Sequence, residues 1–464
     1  TSSIAGVTIG DAMASNTSFT GNVARGISFE VGQGSSVMPV TIQNVDASSN
    51  GDDGIQFVRF ADAVLDDISI TDSIISSNGG DGVGFDLQGG GLFVIDATLS
   101  GNELNSNSGN GINLNLDADV RLLADINDNE IADSGLSGIR ARTQFDSQLD
   151  GTWDNNFITN SGTAAASDGI LVQATERSMV GQNGGLFIMN SEVSGSSRDG
   201  IRIDASNSAL LGGLPAVSVA ILDNSPQSVT DTRGITGNAG SGVNLISGSS
   251  AVLTAVVDNN VLSENGLDGL QATKSGAAQL TVGADGNLIS ENDRHGVNLN
   301  TSGTSTFAGN LTAVLTDNQV LRNAQRGISL VNTGDADTTL VIAGTVDPRA
   351  SSGADATSRV EQNGEVGIYI ENNAGAIDTD NDINLSLLNT AVIGNGTNTG
   401  VTADNRNGVW IRIGTSSFGA VNAEVDQNFM SGNGNVDFVT QSFTATPDPN
   451  VTSQYTNPGG FTPD

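Results

Sequence analysis

Apolar residues recur along this chain in short period-2 runs, each anchored to the same punctuation. An Asn is followed four residues later by Gly, then an aliphatic, a polar residue and a second hydrophobe, as in NGDDGIQF, NSGNGINL, NDRHGVNL and NGEVGIYI. The glycines are Gly26, Gly54, Gly82, Gly111, Gly138, Gly169, Gly200, Gly242, Gly269, Gly296, Gly327, Gly367 and Gly408, mostly 27 to 31 apart, with longer gaps of 40 to 42. The residue after every one of them is Ile, Val or Leu. Alternation of this kind describes a strand with one buried face. A second strand follows (Leu253–Val257, Leu311–Leu315) and ends in an Asn/Asp turn, and a third, shorter one (Val261-Leu262, Val320-Leu321) returns to the repeat Asn. No helical periodicity interrupts the pattern.

Three short strands per repeat of about 28 residues predict a single all-β solenoid. The expected fold is a parallel β-helix of about 14 coils over residues 1–440, with each strand beside its equivalent at about 4.8 Å. Parallel crossovers are overwhelmingly right-handed, so the coil is expected to be right-handed. Gly supplies 60 positions, read here as turn residues where φ is positive, a conformation Asn also tolerates. The repeat Asn (Asn22, Asn50, Asn78, Asn107, Asn238, Asn265, Asn292, Asn323, Asn363) is replaced, counting back four from each glycine, by Ser134, Ala165, Ser196 and Asp404. Stacked side-chain amides here would bond to one another along the axis.

This repeat resembles the right-handed parallel β-helix proteins of the pectate-lyase-like superfamily over residues 20–440. The resemblance implies either extracellular polysaccharide lyases, glycosidases and epimerases, or adhesins, tailspikes and surface proteins. Motifs of its polygalacturonase branch are fragmentary: Asp52-Asp53 matches a paired Asp, Arg294-His295-Gly296 lacks the first glycine of Gly-His-Gly, and Arg412-Ile413-Gly414 lacks the lysine. These lie on distant coils and cannot form one centre.

Composition narrows the function. Seventeen basic against 52 acidic residues give a net charge of −35, which excludes a nucleic-acid binder. The absence of Cys removes disulfides, zinc–thiolate sites and cysteine nucleophiles, and no apolar run is long enough to span a membrane. The chain begins TSSIAG, with neither an initiator Met nor a signal peptide, and is expected to be a processed secreted chain. Residues 441–464 hold four of the eight prolines and read as a tail or linker. Open strand edges at solenoid ends invite end-to-end self-stacking.

Catalytic chemistry would sit on outward positions of the first strand. Two after each glycine these are Ser28, Gln56, Gly84, Asn113, Arg140, Leu171, Arg202, Asn244, Gln271, Asn298, Ser329, Tyr369 and Trp410. No carboxylate pair of the kind a glycosidase needs occurs there. Arg140, Arg142 and Arg202 near Asp204 are the candidates for an arginine base of a lyase. Asp52, Asp53 and Asp81, and likewise Asp168 and Asp199, fall on neighbouring coils, where stacked carboxylates repel unless bridged by a hard cation such as Ca²⁺. Asp378, Asp380 and Asp382 alternate in a loop as calcium ligands do, and Asp268 with His295 reads as a surface pair. Tyr369 and Trp410 share the outward phase with Glu371 and Arg412 beside them, a candidate sugar platform. The reading that follows is a non-enzymatic extracellular or cell-surface structural protein, a spacer, adhesin or array subunit with calcium and glycan as candidate partners. The alternative is a lyase acting on acidic polysaccharide.

Overall fold

A computed structural model describes residues 3–11, 17–89, 94–206, 215–226, 233–303, 309–334, 336–348, 356–373, 382–398, 400, 403–413, 421–435 and 437–442. The chain falls into two units, Thr1–Ala239 and Gly240–Asp464. Each is, taken by itself, a right-handed parallel β-solenoid with three sheets. The solenoid makes about 12 turns at a mean spacing of about 31 residues once insertions are counted. No α-helix occurs among the described residues. Sheet I holds the strands after the repeat glycines, seven in each unit, from Ile27–Val31 to Ile201–Ser206 and from Val243–Ser247 to Phe438–Ser442. Sheet II holds the second strands (for example Arg121–Asn127 and Val252–Asp258), and sheet III the short third ones (Glu130–Ala132, Val261–Ser263).

Register is strict. Ile27 pairs with Ile55 and Phe29 with Phe57, and Val243, Leu270, Val297 and Ile328 follow one another in the second unit. The aliphatic after every repeat glycine is buried, so the predicted inner phase holds in all thirteen coils. Like side chains therefore stack on like. Phe29, Phe57 and Phe85 form a column with centroids 5.1 and 4.9 Å apart and rings nearly parallel, a contact worth about 0.5–1.5 kcal/mol beyond its buried area.

The asparagines form the expected columns. The backbone N–H and Nδ2 of Asn50 both donate to Oδ1 of Asn78 at 3.0 Å, and Asn78 does the same to Asn107. The second unit repeats this through Asn265, Asn292, Asn323, Asn363, Asn395 and Asn433. Two assignments change. The column runs through Ser161 and Asn395, not Ala165 and Asp404, because the insertions in those coils lie between the column residue and the glycine, so counting back four stops short. A second column fills the corner after sheet II: Asn102, Asn129 and Asn156 in the first unit, and Asn260, Asn287 and Asn318 in the second.

The repeat glycines also serve a different purpose from the one expected. Their φ is not positive; that conformation falls on the residue just before each column Asn, such as Ser77, Glu264 or Asp128. The glycine is required by space. A Cβ at Gly269 would lie 2.3 Å from Ile289 Cγ2 and 2.9 Å from Asn292 Nδ2, and one at Gly54 would lie 2.4 Å from Ile75 Cγ2. Any side chain there would push the buried amide column away from the coil.

Removing a mid-column amide leaves buried donors without an acceptor, so Asn292→Ala should cost about 2–3 kcal/mol. Asn398→Ala, on an exposed loop, should cost under about 0.5 kcal/mol. Urea unfolding followed by circular dichroism checks this; equal midpoints would show that the column is dispensable.

Candidate functional site

The outward face of sheet I is not open. At six coils the side chain just before the repeat glycine binds the next coil. Asp81 Oδ1 accepts the Asn110 N–H at 2.6 Å while its Oδ2 accepts from Asn113 Nδ2 at 2.8 Å. In the second unit Asp268 Oδ1 accepts the His295 N–H at 3.0 Å and its Oδ2 accepts from Asn298 Nδ2 at 2.8 Å. The Asp53 carboxylate takes the Asp81 N–H at 2.7 Å, Asn110 Oδ1 takes that of Ser137, and Asp168 Oδ1 takes that of Asp199 at 3.1 Å. One column of side-chain acceptors thus caps successive backbone N–H groups. It buries the neighbouring outward residues, including Asn298 and Ser329.

This arrangement settles where the acidic candidates point. Asp168 receives a two-pronged contact from Arg198, with Nε at 2.6 Å from Oδ1, and Asp268 receives the same from Arg294 at 2.7 Å. Asp199 lies 3.6 Å from Arg202 Nη1, and Asp52 lies 3.3 Å from Arg25 Nε. At Asp168, Asp199 and Asp52 the repulsion that pointed to Ca²⁺ is thus opposed by guanidinium groups. Among the described residues no three Asp, Glu or His side chains converge as metal ligands. Asp382 accepts from Asn422 Nδ2 at 3.3 Å, whereas Asp378 and Asp380 lie outside the described residues. Asp53 and Asp81 are held by N–H groups, and neither forms an ion pair among the described residues. Burial, reinforced by the Asp81 and Asp52 charges, pushes the Asp53 carboxyl up to about 6 despite the Asp81 N–H.

His295 is a rung of the same column, not half of a surface pair. Its Nδ1 accepts the Arg326 N–H at 3.2 Å, which requires a neutral ring. Burial lowers its pKa to about 4, against the opposing pull of Asp268 and with help from Arg326 and Arg294.

The arginine candidates separate. Arg202 Nη2 donates to Asp204 Oδ2 at 3.1 Å, so Arg202 sits between Asp199 and Asp204. Arg140 donates to Asn113 Oδ1 at 3.1 Å, and burial together with neighbouring Arg142 lowers its pKa. In register, Arg140 pairs with Leu171 and Leu171 with Arg202, so an apolar rung divides the two guanidinium groups.

The aromatic pair is correctly phased but is not a platform. Tyr369 and Trp410 are adjacent in register, yet only 2% and 7% exposed. Their rings meet edge to face at 5.2 Å, Arg326 covers the Tyr369 ring at 3.6 Å, and Val366 packs against both. The Tyr369 hydroxyl donates to Glu371 Oε2 at 2.8 Å, and Arg412 Nη1 lies 3.1 Å from Glu371 Oε1. An aromatic pair with a guanidinium on one face is already a complete stack. What it lacks is a partner for Trp410 Nε1, which is buried without a hydrogen bond.

Two charged residues escaped the sequence reading altogether. The only lysine, Lys274, is 1% exposed, on the inner phase of sheet I in register with Ser247 and Thr301. Arg59 occupies the same phase and bonds the Ala63 and Gly89 carbonyls at 2.7 and 2.9 Å. Both stand five residues after a repeat glycine, so their parity was available in the sequence. The chain matches no protein-family model, no curated protein and no solved structure.

Opposite pH responses test the column. Asp53 binds its proton more tightly folded than unfolded, so its contribution favours the fold below about pH 4 and is lost as pH rises through 6. Asp53→Asn should therefore raise stability at pH 7.5 by about 1–3 kcal/mol, and the gain should vanish below pH 4. His295 binds its proton less tightly when folded, so its contribution is full above about pH 6.5 and is lost as pH falls toward 4. His295→Asn, which supplies the acceptor that Asn110 does, should flatten that part of the stability–pH curve. Thermal melts across pH 4–8 read both; parallel curves for wild type and variants would refute the assignments.

Proposed function

We propose that this protein is a non-enzymatic structural solenoid of the cell surface or extracellular space, a rigid spacer or scaffold. The observation that carries this reading is the use to which the outward polar residues of sheet I are put. Asp53, Asp81, Asn110, Asp168, Asp268 and His295 each hold the backbone of the neighbouring coil. Groups that would act as acid, base or ligand are committed to coil-to-coil bonding, as a load-carrying element requires. The surplus of 35 negative charges supports a solvated surface that resists non-specific association. Calcium and glycans belong to this reading as external partners of an acidic surface.

One observation favours a second reading, a lyase acting on acidic polysaccharide: the lowered pKa of Arg140, in the direction an arginine base requires. The two are separated by incubating the protein with uronate polysaccharides and Ca²⁺ and following the absorbance of unsaturated chain ends. The structural reading expects no turnover. Steady turnover that Arg140→Ala abolishes, with the fold retained, would replace it by the lyase.

A further inference from the structure

The outward face of sheet II in the second unit carries a pattern that coil stacking does not explain. Thr254, Thr281, Thr312 and Thr339 follow one another in register on four successive strands. Two residues along each strand, Val256, Gly283, Val314 and Val341 do the same. A fifth rung continues both rows with Asn384 and Ser386. Thr254, Val256, Thr281 and Val314 are exposed, and the remaining members of the first four rungs are partly so. Neither row contains a formal charge over these five rungs, on a chain whose net charge is −35.

We infer that this face binds ice. Parallel pairing without slippage sets a row of four hydroxyls about 4.8 Å apart beside a row of valine methyl groups at the same interval, interrupted once at Gly283. A Thr hydroxyl offers one donor and two acceptors, so it can join a water lattice in either sense. The valine methyls hold no water of their own, and their contact with an ordered layer releases hydration. Charged side chains would instead impose their own hydration shells, and none stands in either row.

The chemistry argues against other occupants. Flat faces that hold sugars use aromatic rings, and this patch has none. Interfaces between protein copies centre on aromatic, Met and Arg side chains, whereas half of this face is hydroxyl. A polyion would find no opposite charge. An uncharged periodic array is complementary to an uncharged periodic surface.

The test uses the purified full chain, fluorescently labelled, applied to a growing ice hemisphere, with a parallel recrystallisation assay in frozen sucrose solution. Wild type should coat the ice and arrest coarsening of the grains. Thr281→Lys and Val314→Lys should each lose both effects, with circular dichroism unchanged. Thr98→Lys, at an exposed sheet II position of the first unit, should keep both. Rejection of the wild-type protein from the ice would overturn the inference, as would full activity in the Thr281→Lys and Val314→Lys proteins. So would a dimer by light scattering, or retention on insoluble uncharged polysaccharide, that Thr281→Lys abolishes.

Discussion

An amide resting on an identical amide one coil away is the contact from which the remaining structure follows. Each column Asn presents its Oδ1 to two donors on one neighbour and sends its own N–H and Nδ2 to the other. The corner where sheet III turns into sheet I is thereby satisfied inside the protein, where water cannot reach. Buried amides left unpaired are costly, so the column demands uniform spacing between coils. Uniform spacing in turn places every inner aliphatic over its equivalent and excludes a side chain at the repeat glycine. Strand register, the phenylalanine stack and the thinness of the corner all follow from that demand.

The fold was legible because its signal is repeated. Thirteen aliphatics in one phase outweigh any single exception, and the asparagine column could be foreseen from stacking alone. What escaped was the direction in which short polar side chains reach. Asp81 and Asp168 were read as neighbouring carboxylates, since spacing along the chain reveals proximity but not the backbone N–H beside each one. Tyr369 and Trp410 were read as outward and therefore exposed. Outward was correct, but exposure depends on Arg326 and Val366, which arrive from the turn before the strand. Ala165 and Asp404 were misplaced because a fixed count cannot detect an insertion inside the counted interval. Lys274 and Arg59 are a different case, since the five-residue offset from the repeat glycine places both on the inner phase despite their charge.

The acidic column also shows how a strongly negative chain keeps its coils together. Arg198 and Arg294 reach across from the adjoining coil to the aspartate before the preceding glycine, Asp168 beside Asp199 and Asp268 beside His295. With only 16 arginines and one lysine in the chain, two of the few cations bind buried aspartates of this column. At Asp53 burial and the Asp81 and Asp52 charges outweigh Arg25, and the carboxyl is held partly toward its neutral form.

Where asparagine follows asparagine the column has a direction, since each such rung accepts on one side and donates on the other. A segment that adds or removes one whole coil leaves both neighbours with the same complement of donors and acceptors as before. A segment cut elsewhere strands at least one of them. Changes in the length of the coiled core are therefore quantised in units of a full turn. The corner loops, which lie outside the column, are free to vary one residue at a time.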